Sequence, residues 1–516
     1  MKSTFYLTTP IYYVNDRPHI GHAYTTVACD VLARFMRLEG REVKFLTGTD
    51  EHGQKVEKSA SAKGLPPQEF VDQVSVHFRD LAKLMNISND DFIRTTEPRH
   101  LKSAQDIWKR IQDSGNIYLG GYAGWYAVRD EAFYDESELV NGKAPTGAEV
   151  EWVEEPSYFF KLSAFGDKLL KFYEENPDFI MPPSRRNEVI SFVKGGLNDL
   201  SVSRTSFKWG VPVPGDEKHI MYVWIEALAS YITATGYPEK GFEKFWPADL
   251  HMVGKDILRF HTVYWPAFLM AANLPLPKRV FAHGWWTIEG EKMSKSLGNV
   301  VAPSELVENY GVDQTRYFFM REVPFGNDGN FSRERMAAVI NSELANNVGN
   351  LVQRTLSMIH KNCGGVIPDA SGVAKDELDM AFMDKIHVTD ARTPQDIARR
   401  YYDCKFNEIL ADIMHIASEA NSYIDTKAPW KQKKEDERLM QATLYHLAEA
   451  IRCIAIMLQP FIPESAAKIL VMMGYPEDKV KAGIAFEELT PSYMLKPGTK
   501  IETPQPLFPR LEAAAA

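Results

Sequence analysis

The stretch "STFYLTTPIYYVNDRPHIGH" (residues 3–22) passes from a β-rich run into two histidines that bracket an isoleucine and a glycine. Residues 20–38 then carry apolar side chains at helical spacing, among them Val27, Val31, Leu32 and Phe35, and stop at Gly40. "EVKFLTGTD" (residues 42–50) is a second β-rich run, so the opening is a βαβ unit. A third extended segment, "DFIRTTEP", follows an amphipathic stretch from Pro67 to Leu84, which extends the unit to half of a doubly wound parallel sheet. In such sheets ligands sit at the C-terminal strand ends, where helix N-termini present N–H groups to anions. His19 to His22 occupy that place. Two imidazoles there can donate to phosphate oxygens whose charge grows as a phosphoryl bond breaks, and Gly21, lacking Cβ, lets a flat base approach the backbone. The simpler alternative is a pair of helix-capping histidines with no ligand. With 13 His and 32 Gly in 516 residues, His-x-Gly-His arises by chance in about 0.02 of such chains, so a second motif is needed to decide.

Composition narrows the classes. At 516 residues and 45% hydrophobic content, the chain can bury large cores and is expected to form two to four domains. Its longest apolar stretches are too short and proline-broken to cross a bilayer, and "MKSTFYL" lacks a signal-peptide core, so no membrane partner is expected. Cys29, Cys363, Cys404 and Cys453 lie far apart with no Cys-x-x-Cys pair, which argues against a disulfide framework or a cysteine-rich zinc site and fits a reducing cytoplasm. The net charge of −10 means that a polyanion would have to meet local basic patches.

Farther along, residues 117–218 change texture to aromatics, turn residues and acidic runs, and read as an inserted domain. The α/β pattern resumes with "HIMYVWIEALASYI", "ADLHMVGKD" and "KRVFAHGWWTI", breaks at "EGEKMSKSLGN", and is almost wholly helical from residue 333 onward. The second motif lies in that break. Lys292 and Lys295, three apart in a Gly-flanked loop, can swing over a triphosphate and neutralise a leaving pyrophosphate. An isolated Lys-x-x-Lys is usually a solvated basic turn; paired with an upstream His-Ile-Gly-His in an interrupted α/β pattern it points to nucleotide chemistry.

With "HIGH" and "KMSKS" in this order, the sequence resembles the class I aminoacyl-tRNA synthetases. The roughly hundred-residue insertion is smaller than the editing insertion of that class's leucine, isoleucine and valine enzymes, and the catalytic half offers only Cys29 where its cysteine enzymes hold zinc. "TTPIYYVNDRPHIGH", "GTDEHG", "YVWIEALASYI", "VGKDILRFH" and "AHGWW" are similar to the bacterial-type methionyl branch over nearly the whole chain. The resemblance implies a split catalytic domain (1–117 and 219–290), a connective-peptide insertion (118–218), a KMSKS loop and stem-contact region (291–355) and an α-helical anticodon-binding domain (356–516). It also implies activation of L-methionine with ATP and transfer to initiator and elongator tRNA(Met). Two rival classes are a small-acid nucleotidyltransferase, which needs no such helical domain, and a non-catalytic tRNA-binding paralogue, which would be expected to lose one signature.

Methionine is unbranched and polarizable, so a selective site needs aromatic faces and a polar group for sulfur. Carried over by motif, Ile11, Tyr13, Trp224, Ala227, Leu228, Tyr231, Ile257, Phe260, His261 and Trp265 would form the side-chain pocket, with Tyr231 and His261 near sulfur and Asp50 pairing with the α-ammonium. Asp50 could instead be an N-cap, and Trp224 and Tyr231, seven apart on a helix, could simply be core. For ATP, His19, Gly21, His22, Lys292 and Lys295 would handle phosphates, with His19, His22 and the two lysines catalytic. Gly254, Asp256, His283 and Gly284 would meet the nucleoside. Mg2+ would arrive with ATP, without a dedicated metal site. Many relatives carry zinc knuckles in the insertion, whereas "GGYAGWYAVRDEAFYDESEL" has no cysteine, which resembles the zinc-free branch, so no structural zinc is expected.

In the helical half, Asn346, Asn350 and Arg354 fall at i, i+4, i+8, and Trp430 sits just past a helix end beside Lys431, Lys433 and Lys434. Aromatic platform, amide and guanidinium edges and lysines suit a single-stranded loop, although "KQKK" alone is usually solvated surface and Trp430 after Pro429 could be a helix staple. The resemblance makes Asn350, Arg354 and Trp430 the anticodon readers. The tail "LFPRLEAAAA" shows no strand-rich dimerisation module, so a monomer is expected.

Overall fold

The computed structural model describes residues 3–14, 17–130, 132–292, 299–386 and 394–511. Its centre is a six-stranded parallel sheet of β1 (Thr4–Tyr13), β2 (Glu42–Asp50), β3 (Asp91–Arg94), β4 (Ile180–Met181), β5 (Leu250–Gly254) and β6 (Val280–His283), in the order β3-β2-β1-β5-β6-β4. The two halves meet where Leu7 and Thr8 of β1 pair with Leu250 and His251 of β5. At that switch point the chain leaves the sheet in opposite directions, which opens a crevice beyond the strand ends. Phe5, Tyr6 and Leu7 are all buried, as expected of a strand covered on both faces. The register of β1 against β2 shifts between Thr8 and Ile11, where Pro10 has no N–H to give the ladder.

Helix α1 (Ile20–Leu38) covers one face through Ala23, Val27, Val31 and Phe35, and the chain turns out of it at Gly40 with φ 79°. Its middle is tied to the helical half. Fully buried Arg316 donates to Asp30 Oδ2 at 2.7 Å and to the carbonyls of Met85, Pro460 and Phe461. Burial would raise the Asp30 carboxyl, but Arg34 and Arg316 outweigh it and hold it at about 2.

The segment after β3 builds an antiparallel hairpin, Ile117–Ala127 against Glu151–Phe160, before β4 returns to the edge of the central sheet beside Val280 and Phe281. That strand is two residues long and carries no periodicity to reveal it. A short sheet of Trp286–Ile288, Glu291–Lys292 and Gly329–Phe331 holds the root of the polar loop. From Pro303 the described chain is mostly helical, with a difference from α spacing: residues Ile340–Gly349 form a π-helix that passes into the α-helix Asn350–Asn362. The wider turn shifts Asn346 relative to Asn350 and Arg354, a departure often found at functional sites. Among the described residues, no helix is long and apolar enough to cross a membrane, and all four cysteines are unpaired thiols.

Candidate active site

The histidines that open α1 cap it and also face the crevice. His19 is the N-cap, its Nδ1 accepting from the Gly21 N–H at 3.1 Å, while His22 Nδ1 accepts from the His19 N–H at 3.1 Å. An accepting Nδ1 places the proton of the neutral ring on Nε2, so each imidazole is set in the tautomer that can donate outward. Burial, with His19 beside it, pushes His22 well below the usual histidine range. A Cβ on residue 21 would stand 2.9 Å from His19 Cε1, so the glycine is needed for the cap itself.

Both rings line a cavity of about 770 Å3 at the ends of β1 and β5. Along one end of it are Gly254, Asp256, His283 and Gly284. Trp285 Nε1 donates to Asp256 Oδ1 at 3.1 Å, and a Cβ at Gly254 would lie 2.5 Å from the same oxygen. His283 Nδ1 donates to the Gly284 carbonyl at 2.8 Å, which leaves Nε2 to accept from the Thr25 hydroxyl at 2.7 Å; burial lowers its pKa. At Gly284 the Asn327–Asp328 backbone crosses so closely that a Cβ would stand 2.2 Å from the Asn327 carbonyl oxygen. Gly284→Ala is therefore expected to displace that crossing, costing about 1–3 kcal/mol in stability. A variant with unchanged melting temperature would contradict this.

The other end of the cavity is formed by Ile11, Tyr13, Asp50, Trp224, Ala227, Leu228, Tyr231, Ile257 and His261. Phe260 and Trp265 stand behind this wall. Phe260 stacks on Trp224 with centroids 3.7 Å apart, and fully buried Trp265 meets the Tyr231 ring edge-on at 6.5 Å. His261 Nδ1 donates to the Ile257 carbonyl at 2.9 Å, so in the neutral ring Nε2 accepts the Tyr231 hydroxyl proton at 2.7 Å. Burial lowers His261 to about 4, which keeps it neutral, with its own proton committed to the Ile257 carbonyl and the Tyr231 proton to its Nε2. Tyr24, Thr25, Lys55, Arg129, Asp130 and Trp285 also line the cavity without having been singled out in the sequence. Thr25 stands one helical turn beyond Gly21 and Trp285 directly follows Gly284, so neighbourhood could have found these two; Arg129 and Asp130 arrive from the insertion with no spacing signal.

Lys292 ends a two-residue strand opposite Thr287, and Lys295 lies outside the described residues. In the helical half Asn346, Asn350 and Arg354 share an open recess of about 610 Å3 with Asn347, His415 and Asp425. Arg354 Nη2 donates to Asp425 Oδ1 at 2.7 Å, and its guanidinium carbon is 6.0 Å from the centroid of the Trp430 ring. Trp430 lies in the first turn of the helix Pro429–Glu435 and is 44% exposed.

Comparison with known proteins accounts for both regions. The family model described as tRNA synthetases class I (M) matches residues 5–151 and 136–356, and that of the anticodon binding domain of methionyl tRNA ligase matches residues 381–515. The chain is 58% identical over 520 residues to a methionine–tRNA ligase of Rickettsia felis, covering 99% of both, and 54% identical over 523 residues to that of Rhizobium meliloti, covering 100% of this chain and 99% of the relative. A Mycobacterium tuberculosis methionyl-tRNA synthetase solved with methionyl-adenylate superimposes with a TM-score of 0.94 at 46% identity, over 99% of this chain and 100% of that one. With the catalytic and anticodon-binding regions both matched over essentially the full length, the chain belongs to the methionyl-tRNA synthetase family.

Proposed function

We infer that the chain is a methionine–tRNA ligase: it activates L-methionine with ATP to methionyl-adenylate and pyrophosphate, then transfers methionine to the 3′-terminal adenosine of tRNA(Met). The observation that carries this reading is one cavity with phosphate-type donors at one end and an aromatic pocket closed by a carboxylate at the other. In the first step a methionine carboxylate oxygen bonds the α-phosphorus while the α–β bridging bond breaks and pyrophosphate leaves with the electron pair. In the second, a terminal ribose hydroxyl attacks the activated carbonyl and AMP departs.

Asp50 pairs with the α-ammonium in this reading, and Trp224, Ala227, Leu228, Tyr231, Ile257 and His261 surround the side chain, with Phe260 and Trp265 holding Trp224 and Tyr231 in place. His19 and His22 donate to phosphate oxygens, Asp256 takes ribose hydroxyls, and Lys292 and Lys295 bring positive charge to the leaving group. In this reading Mg2+ would accompany ATP and would supply further charge neutralisation at the phosphates. Asn350, Arg354 and Trp430 read the anticodon of initiator and elongator tRNA(Met). The enzyme works as a monomer in the cytoplasm, which its unpaired thiols suit.

Exchange of pyrophosphate into ATP that depends on methionine, and on no other natural amino acid at comparable concentration, tests activation and substrate choice without tRNA. Exchange with another amino acid alone would overturn the assignment.

The insertion carries no zinc in this reading. Its hairpin is held by rings, with Trp125 against Trp152 at 5.3 Å and Tyr118 stacked on Phe159 at 5.6 Å, and no thiolate is available there. Metal analysis is expected to give well below one zinc per chain, and chelation to leave exchange activity intact. Tightly held stoichiometric zinc would refute the ring-packed insertion.

A further inference from the structure

Behind the amino-acid end of the cavity lies a charged cluster that the two chemical steps do not use. Glu226 is wholly buried in the helix Val223–Thr233, on the side facing away from Trp224, Ala227, Leu228 and Tyr231. Its Oε1 lies 3.1 Å from His52 Nδ1 and its Oε2 2.7 Å from His100 Nε2, and both histidines are buried as well. His100 Nδ1 has no hydrogen-bond partner among the described residues, so the ring is anchored through Nε2, which donates to the carboxylate. Burial alone would raise the Glu226 carboxyl; the two histidines outweigh it and hold it down, in the ionised form.

Stability does not explain such a cluster, because a buried ionic group is commonly no better for folding than an apolar replacement of the same shape. Its connections do. His52 is two residues beyond Asp50, in the turn that leaves β2. That turn is fastened on its other side: Glu51 accepts from Arg94 at 2.7 and 2.9 Å and from Thr96 at 2.6 Å, and the Glu51 carbonyl accepts from Trp209 at 2.6 Å. The Tyr13 hydroxyl donates to the His52 carbonyl at 3.0 Å. Glu51 thus anchors the turn to β3, and His52 anchors it to the helix that makes the side-chain pocket. His100 ties the same carboxylate to the helix Pro98–Asp113.

We propose that Glu226 is a positioning residue for amino-acid recognition: by holding His52 it fixes the distance between Asp50 and the pocket formed by Trp224, Leu228 and Tyr231, so that ammonium and thioether are gripped together. This rests on the reading of Asp50 as the ammonium partner. A misplaced Asp50 turn would forfeit the ammonium contact while leaving the apolar contacts of the same ligand in place.

The experiment compares KM for L-methionine in pyrophosphate exchange with the inhibition constant of its des-amino analogue, 4-(methylthio)butanoate. Glu226→Gln keeps the shape and removes the charge; it is expected to raise KM for methionine about tenfold or more, with the analogue's inhibition constant and KM for ATP within about twofold of the parent values. His52→Gln, which cuts the link to the turn and leaves Glu226 with His100, should show the same selective loss and serves if Glu226→Gln fails to fold. Equal weakening of methionine and the analogue, or a lowered melting temperature with unchanged constants, would overturn the proposal. Asp50→Asn separates the two readings. If it leaves the preference for methionine over the analogue intact, the ammonium assignment itself fails; if it abolishes that preference while Glu226→Gln and His52→Gln do not, only the positioning role fails.

Discussion

Lys295→Ala is expected to leave methionine affinity unchanged and to slow methionyl-adenylate formation by about a hundredfold or more, since it removes charge needed mainly in the transition state. The cavity explains why His22 and His283 cannot compensate. His22 is kept neutral by burial and by its neighbour, so it offers a donor without a charge, and His283 is likewise held below its usual range. Positive charge must come from lysine and arginine. Arg17, Lys55 and Arg129 line the cavity, and in the proposed reaction Lys292 and Lys295 would add charge as the phosphoryl bond breaks. Residues flanking the loop of these two lysines line the cavity: Thr287, which pairs with Lys292, and Val300. The root is fixed, with the Gly290 N–H donating to Asn330 Oδ1 at 2.7 Å and Trp286–Ile288 paired to Gly329–Phe331. A lysine whose charge acts on the leaving pyrophosphate contributes nothing to methionine binding. Single-turnover adenylate formation, measured beside equilibrium methionine binding, checks this; equal loss in both would remove Lys295 from the phosphate machinery.

The sequence made the first βαβ unit readable nearly to the residue, because apolar spacing, Gly40 and the Pro67 start are local signals. The strand Thr4–Tyr13, the helices Ile20–Leu38 and Pro67–Leu84, and the strand Glu42–Asp50 all lie where those signals put them. Features that depend on distant partners were not legible. Ile180–Met181 joins the sheet only because Val280 and Phe281 are there to pair with it. The π-helical turns of Ile340–Gly349 look like ordinary helix in a sequence of Asn, Leu and Ala. Capping and ligand binding stood as alternatives for His19 and His22; the geometry shows the caps, and because these select the tautomer with the proton on Nε2, capping does not exclude a ligand. Glu226 is a lone acid in "YVWIEALASYI", where solvent exposure is the natural reading, and only His52 and His100, 174 and 126 residues away, account for its burial. Phe260 and Trp265 share helical neighbourhood with His261, but one turn of the chain puts them behind the wall that His261 helps to form.

Trp430→Ala is expected to cripple tRNA charging while methionine-dependent exchange stays near normal. The competing idea is a helix staple, and truncating a packed tryptophan commonly costs about 3 to 5 kcal/mol of stability. A ring that is 44% exposed in the first turn of a seven-residue helix has little of that packing to lose. The chain reaches it through Ala428 at φ 45°, which ends the helix Phe406–Lys427 and turns directly into Pro429. The ring is thereby presented beside Arg354, whose guanidinium is 6.0 Å from its centroid and is itself oriented by Asp425 at 2.7 Å. An aromatic face next to a guanidinium edge and the amide of Asn350 is what an unstacked base requires. Stacking on an aromatic is worth about 1 to 3 kcal/mol per base, or roughly five- to 150-fold in tRNA kcat/KM. Asn350→Ala and Arg354→Ala should lose discrimination for the CAU anticodon as well as rate, because their contribution is directional hydrogen bonding. A Trp430→Ala protein that melts early and loses exchange and charging in parallel would make the residue a staple; a stable protein defective only with tRNA would place the anticodon site in this recess.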